Sequence, residues 1–177
     1  MRVTEIFHSI QGESTHAGRP CVFIRLTGCN LVEITGGEPL AQSESFDLIH
    51  RLCDEGFEVL IETSGSIDIA PVDARAKIIL DIKCPGSGEA SKNRWENLDI
   101  LRPHDEIKFV IAGRNDYDWA RRVVEERNLQ RWTVLFSPVW GEMEMKSLAE
   151  WMLADRVPAR LQTQLHKHIW GADARGV

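Results

Sequence analysis

The sequence has no CxxC pair, no excess of basic charge and no long apolar run, and each absence narrows what the chain can do. Four cysteines, Cys21, Cys29, Cys53 and Cys84, are scattered singly along 177 residues, a spacing that fits neither a disulfide framework nor a zinc site. In a reducing compartment most of them read as small apolar packing residues. A formal net charge of -6 argues against broad attraction to nucleic acid or anionic lipid. No apolar run approaches the roughly 20 residues that span a bilayer. The start Met1-Arg2-Val3-Thr4-Glu5 lacks the apolar core of a secretion signal. These features predict a cytoplasmic protein that acts on a small molecule. The 6 tryptophans have no basic stripe beside them, so they read as packing rather than as a base-stacking platform.

What is present is an alternation of strand-like and helix-like segments. With 43% hydrophobic content the chain can bury one substantial core, which predicts a single domain over residues 1–177. Aliphatic and β-branched runs predict strands at 21–26, 32–35, 58–62, 77–81, 106–111, 133–136 and 160–165. Between them, apolar residues at three- and four-residue spacing predict helices at 43–55, 115–127 and 142–155, with Asn115 as an N-cap and Gly56 as a stop. Strands separated by helices make an α/β fold with mainly parallel strands, either an open sheet or a partial (β/α) barrel.

Ligands of such folds gather at the carboxyl ends of the strands. Those positions hold Thr27-Gly28-Cys29, Thr35-Gly36-Gly37-Glu38-Pro39, Glu62-Thr63-Ser64-Gly65-Ser66, Asp81-Ile82-Lys83-Cys84-Pro85 and Ser137-Pro138-Val139. Polar and glycine-rich segments recurring at one end of successive strands predict the rim of an active site. One connection breaks the pattern. Only five residues separate Leu26 from Val32, whereas a parallel crossover takes about a dozen or more. So tight a link would force a hairpin, yet Cys29-Asn30-Leu31 has no Asn-Gly or Asp-Gly turn chemistry. The sequence therefore reads as interrupted between Asn30 and Val32, most simply by the loss of a mobile segment.

Arg25 lies within an apolar strand, and a cation facing the interior there needs a partner, for which a ligand carboxylate is a bidentate match. An outward or internally paired arginine is the plainer alternative. Gln11, Gly12 and Glu13 offer an amide, backbone groups and a carboxylate that together can read the edge of a pyrimidinone ring. A solvated turn would explain them equally simply. Gly36-Gly37-Glu38-Pro39 is either an ordinary strand-end turn or a place where backbone can approach a ligand closely.

The opening Glu5-Ile6-Phe7-His8-Ser9-Ile10-Gln11-Gly12-Glu13-Ser14, the segment Phe23-Ile24-Arg25-Leu26-Thr27-Gly28-Cys29-Asn30-Leu31 and the ending Gln164-Leu165-His166-Lys167 through Trp170-Gly171 resemble 7-carboxy-7-deazaguanine synthases. Ile34-Thr35-Gly36-Gly37-Glu38-Pro39-Leu40 resembles the GGEP motif of radical S-adenosylmethionine enzymes. This resemblance runs from one terminus to the other. It implies a radical enzyme of the partial-barrel type that uses a 4Fe-4S cluster, S-adenosylmethionine and Mg2+. The reaction implied converts 6-carboxy-5,6,7,8-tetrahydropterin into 7-carboxy-7-deazaguanine with loss of ammonia. By the same resemblance, Ile10, Gln11, Gly12, Glu13, Arg25, Thr35, His166 and Val177 contact substrate, and none of them transfers protons. Gly36, Gly37, Glu38, Ser64, Asp81, Lys83, Ser137, Pro138 and Val139 bind S-adenosylmethionine, and Cys29 is a cluster ligand. A homodimer and an electron-donor protein such as flavodoxin or ferredoxin complete the implied system.

The resemblance fails where the topology does. A synthase follows Cys29 with two more cysteines and a helix, and also supplies there a threonine near magnesium. This chain has none of these. Two other readings stay open: a glycyl-radical-enzyme activase, sharing Cys29 and the GGEP motif, and a non-catalytic nucleotide-binding module that has lost its cluster.

Overall fold

The computed structural model describes residues 7–10, 20–23 and 30–172, with side chains described from Asn30 onward. The chain divides into two compact units, the first comprising residues 1–63, 67–79 and 164–177 and the second residues 64–66 and 80–163.

In the first unit, β1 (Phe7–Ile10) pairs antiparallel with β2 (Pro20–Phe23), and β2, β3 (Leu31–Ile34) and β4 (Glu58–Thr63) run parallel in chain order. Helix α1 (Glu44–Asp54) is the crossover from β3 to β4. Ile49 and Leu52 are buried on one of its faces, and Gly56, at φ +83, ends it as its sequence position predicts. Leu31, Leu60 and Ile79 form a core cluster, Ile79 lying within β5 (Lys77–Asp81). Helix α4 (Leu165–Trp170) packs near β1.

In the second unit, β6 (Glu106–Ile111), β7 (Thr133–Pro138) and β8 (Arg160–Leu161) are parallel neighbours in chain order. Helices α2 (Arg114–Glu126) and α3 (Met145–Asp155) make the two crossovers. The alternation of β6 decides how the helices lie. Ile107, Phe109 and Ile111 form its apolar face, and the rings of Phe109 and Phe136 meet Trp119 and Tyr117 of α2 edge-on at 6.2 and 6.0 Å. The opposite face carries Glu106 and Lys108, both buried. The mixed α/β class expected from the sequence is thus the one observed, and these parallel strands with helical crossovers are those of a partial β/α barrel.

Several expectations need correction. β2 and β3 are parallel, as the expected class has it, with Val22 level with Val32 and Phe23 with Glu33, although only residues 24–30 link them. So short a link does not by itself force a hairpin, because this register asks it to climb back only two strand residues, about 7 Å. Seven residues can reach more than about 20 Å. The strand expected over 160–165 stops at Leu161. Gln162 N still donates to Phe136 O at 2.9 Å, but the next ladder donor would be the N–H of residue 138, and Pro138 has none. Leu165 instead begins α4. Helix α3 starts at Met145 rather than 142, behind a turn in which Gly141 has φ +79. Asn115 lies inside α2, which is capped at Gly113; the Asp116 carboxylate accepts the Ala112 and Gly86 N–H groups at 3.2 and 2.8 Å.

Candidate functional site

In the first unit, β3 runs out at Ile34 into Thr35, Gly36 and Gly37, all exposed. Gly36 has φ +99 and Gly37 φ +57, conformations that a Cβ makes costly. A Cβ at either position would meet nothing within 4 Å, so backbone conformation rather than crowding requires glycine here. The same open space leaves the peptide groups of this segment accessible to a ligand. Glu38 closes the segment. Its Oε1 accepts hydrogen bonds from Leu40 N at 3.1 Å and from Thr63 Oγ1 at 2.7 Å, capping the 3-10 turn Pro39–Ala41. Ser45 Oγ donates to Pro39 O at 2.7 Å from the start of α1. This carboxylate therefore holds the turn to the end of β4. His166 is half-buried on α4 and already engaged in interactions.

In the second unit, Asp81 and Lys83 leave β5 as a pair, with Lys83 Nζ 2.6 Å from Asp81 Oδ2. Asp81 is buried, and its other oxygen, Oδ1, has no hydrogen-bond partner. Asn93 fixes the Lys83 backbone from both sides, accepting from its N–H and donating to its carbonyl, each at 2.9 Å. Ser64 Oγ lies 3.0 Å from Ser66 Oγ across Gly65. Gly65 has φ +68, and a Cβ there would stand 2.5 Å from Leu80 Cδ1; its carbonyl accepts from Arg94 N at 3.2 Å and Asn97 Nδ2 at 2.9 Å. Ser137 is buried, and Pro138 and Val139 are half-buried, with Val139 N donating to Ile111 O at 2.9 Å.

Ser64, Asp81, Lys83, Ser137, Pro138 and Val139 thus belong to one unit, and Thr35, Gly36, Gly37, Glu38 and His166 to the other. Gln11, Gly12, Glu13, Arg25, Cys29 and Val177 lie outside the described residues, as does the side chain of Ile10. Asn93, Asn97 and Gln162 were not singled out in the sequence, and Thr63 only as part of a strand-end segment. Thr63, Asn97 and Gln162 are buried and Asn93 is half-buried, and the sequence carries no signal of this beyond the strand ends at Thr63 and Gln162.

The donor sets differ for the groups that the sequence resemblance implies. Within the second unit, a carboxylate oxygen buried without a partner beside a lysine can accept from a hydroxyl or an ammonium; the exposed glycine backbone of the first unit offers its own N–H and C=O groups. A cluster that leaves one iron open needs three thiolates. Burial foremost, then the carboxylates of Asp116 and Asp81, pushes the Cys84 thiol well above its ordinary range; burial also raises that of Cys53. Both are free, buried and protonated at neutral pH. With Cys29 the single cysteine of the β2–β3 link, the residues of this chain do not make up a cluster set. Among the described residues no three His, Cys, Asp or Glu side chains converge to hold a metal ion, and no helix is long and apolar enough to cross a membrane.

No family model matches the chain. Curated relatives do. The chain is 40% identical over 214 aligned positions to the 7-carboxy-7-deazaguanine synthase of Chlorobaculum tepidum, with 100% of this chain and 97% of the relative covered. It is 39% identical over 226 positions to the synthase of Koribacter versatilis, with both chains covered in full. A third synthase, from Methanospirillum hungatei, is 33% identical over 203 positions, covering 96% of this chain and 85% of the relative. Since 177 residues occupy 214 positions in the first alignment, at least 37 positions there are filled by the relative alone.

Proposed function

Since the chain belongs to the 7-carboxy-7-deazaguanine synthase family of enzymes, we propose that its strand ends bind S-adenosylmethionine and 6-carboxy-5,6,7,8-tetrahydropterin. The reaction read for it is conversion of the pterin to 7-carboxy-7-deazaguanine with release of ammonia, in the cytoplasm, on the way to queuosine-type deazapurines. The observation that carries this reading is the glycine segment after β3, held by the bonds of Glu38 to Leu40 N and Thr63 Oγ1. It presents backbone in a fixed conformation to open space, so a ligand finds its donors and acceptors already placed. Gly36 and Gly37 supply close approach to the amino-acid end of S-adenosylmethionine. Asp81 Oδ1, buried without a partner, accepts from a ribose hydroxyl or an ammonium, and Lys83 neutralises the carboxylate behind it. Ser64, Ser137, Pro138 and Val139 complete the S-adenosylmethionine side.

On the substrate side, Ile10, Gln11, Gly12, Glu13, Arg25, Thr35, His166 and Val177 orient the pterin rather than move protons. Arg25 pairs with the substrate carboxylate, and Gln11 and Glu13 read the pyrimidinone edge. S-adenosylmethionine supplies the 5'-deoxyadenosyl group through which the reaction begins. Mg2+, a homodimeric assembly and a flavodoxin- or ferredoxin-type electron donor belong to the same reading. The chemistry of this chain's own residues stops at binding and orientation, because their thiols do not make up the cluster set.

That mismatch, together with the 37 or more positions present only in the relative, favours a second reading: a nucleotide-binding module that keeps the ligand site and does not turn over. Anaerobic reconstitution with iron and sulfide, followed by reduction in the presence of the carboxypterin, separates the two. Iron uptake with release of 5'-deoxyadenosine and formation of the deazaguanine supports the synthase. S-adenosylmethionine binding without iron uptake, by a protein of intact mass 20.1 kDa, supports the module. Failure to bind S-adenosylmethionine at all sinks both.

A further inference from the structure

Gln162 is 6% exposed, and neither its Oε1 nor its Nε2 has a hydrogen-bond partner. A buried amide left entirely unpaired costs about 1–3 kcal/mol per group, and native proteins rarely retain one without a reason. The fold offers no local reason. Gln162 follows the two-residue strand β8, and its backbone N–H continues the ladder to Phe136 O. An apolar side chain would serve that position without penalty.

The placement supplies the missing partner's character. Phe136 is level with Leu161, so Gln162 stands beside Ser137, which is itself level with Val110 of β6. Strand alternation puts Gln162, Ser137 and Lys108 on the same face, opposite the apolar face that α2 covers. Ile82 N donates to Lys108 O at 2.9 Å, which sets Asp81 level with Lys108 and on that face too. This face therefore carries buried polar side chains, Lys108, Asp81, Ser137 and Gln162, beside Val110 and Leu135, and on it both Gln162 and Asp81 keep unpaired atoms. An amide presents a donor and an acceptor side by side in one plane. Its full complement is a planar ring edge with an acceptor next to a donor.

We propose that Gln162 is a binding residue whose amide reads the donor–acceptor edge of a heteroaromatic ring, the adenine of S-adenosylmethionine or the pyrimidinone of the pterin. The identity of the two rings rests on the function proposed above. The amide forms both bonds in the plane of the ring, and ligand binding satisfies the two groups that the protein leaves open.

The test is calorimetric titration of the full chain and of Gln162→Leu with S-adenosyl-L-homocysteine in one arm and 6-carboxypterin in the other, alongside thermal unfolding. Removing an unpaired buried amide leaves the melting temperature of Gln162→Leu equal to or above that of the wild type. Affinity for one of the two ligands falls about tenfold or more, because its ring edge is left unpaired; the arm that moves tells adenine from pyrimidinone. Gln162→Met, closer in length, gives the same loss and guards against a packing fault of leucine. Binding by both variants within about twofold of wild type in both arms overturns the proposal and leaves the function standing. Wild-type protein that binds neither ligand overturns the function, and the proposal with it.

Discussion

Single residues set the sharpest limits on this molecule. Tyr117, the chain's one tyrosine, is fully buried and donates its hydroxyl to Trp151 O at 2.9 Å and Asp155 Oδ2 at 2.8 Å. Burial first, then the Asp155 carboxylate, raises its pKa above the ordinary value of 10. A raised folded pKa means stability that is whole below the unfolded value and is lost as pH climbs past about 10. Tyr117→Phe keeps the ring but loses the hydroxyl's hydrogen bond to the Asp155 carboxylate, which Arg114 and Arg121 still flank, costing about 1–3 kcal/mol at neutral pH. The variant should also lose the alkaline part of the melting-temperature profile, and base titration of the wild type by tyrosinate absorbance reports this group alone. A different limit holds at Gly36. With φ +99 and empty space around it, Gly36→Ala should lower stability by about 1–3 kcal/mol through backbone strain alone. If the glycine segment receives a ligand, S-adenosyl-L-homocysteine binding weakens by more than the melting temperature accounts for.

At the scale of elements, short bonds at the helix and strand ends hold the loops. Asp116 joins the start of α2 to the loop after β5 through the Gly86 and Ala112 N–H groups. Asp116→Ala should lower stability by about 2 kcal/mol or more in urea unfolding, and Asp116→Asn should recover part of it. Gly86→Ala acts on the same joint, since its Cβ would stand 2.5 Å from Asp116 Oδ2. Beside α1, Asp73 is held by Arg75 at 2.7 Å and by His50 at 2.7 Å, and Arg75 also reaches Asp54 at 2.8 Å. The Arg75 hydrogen bonds above all keep the Asp73 carboxyl well below the usual carboxylate range. Its share of stability is therefore present above about pH 4 and lost as pH falls toward the depressed folded value. Asp73→Asn should flatten the acid limb of the stability curve.

For the whole molecule, Cys53 and Cys84 are buried free thiols, so their alkylation should follow global unfolding. Labelling that runs ahead of urea unfolding would show local opening instead. The α/β class was determined by the sequence alone, because hydrophobic periodicity is a local property of the chain: the strands at 77–81 and 106–111 keep their expected bounds, and those expected at 32–35, 58–62 and 133–136 and all three helices needed only shifted ends. β1 and α4 were not legible, each too short for a period to show. The glycines at 36 and 37, and the carboxylate beside them, were legible as a strand-end segment. The tertiary structure alone decided the rest. Whether β2 and β3 run parallel depends on register, whether β8 continues depends on a proline in its neighbour, and whether Glu38 faces a ligand or caps a turn depends on Thr63, 25 residues away. Gln162 looked like any polar residue near a strand end, since an unpaired buried amide exists only once every other partner has been placed.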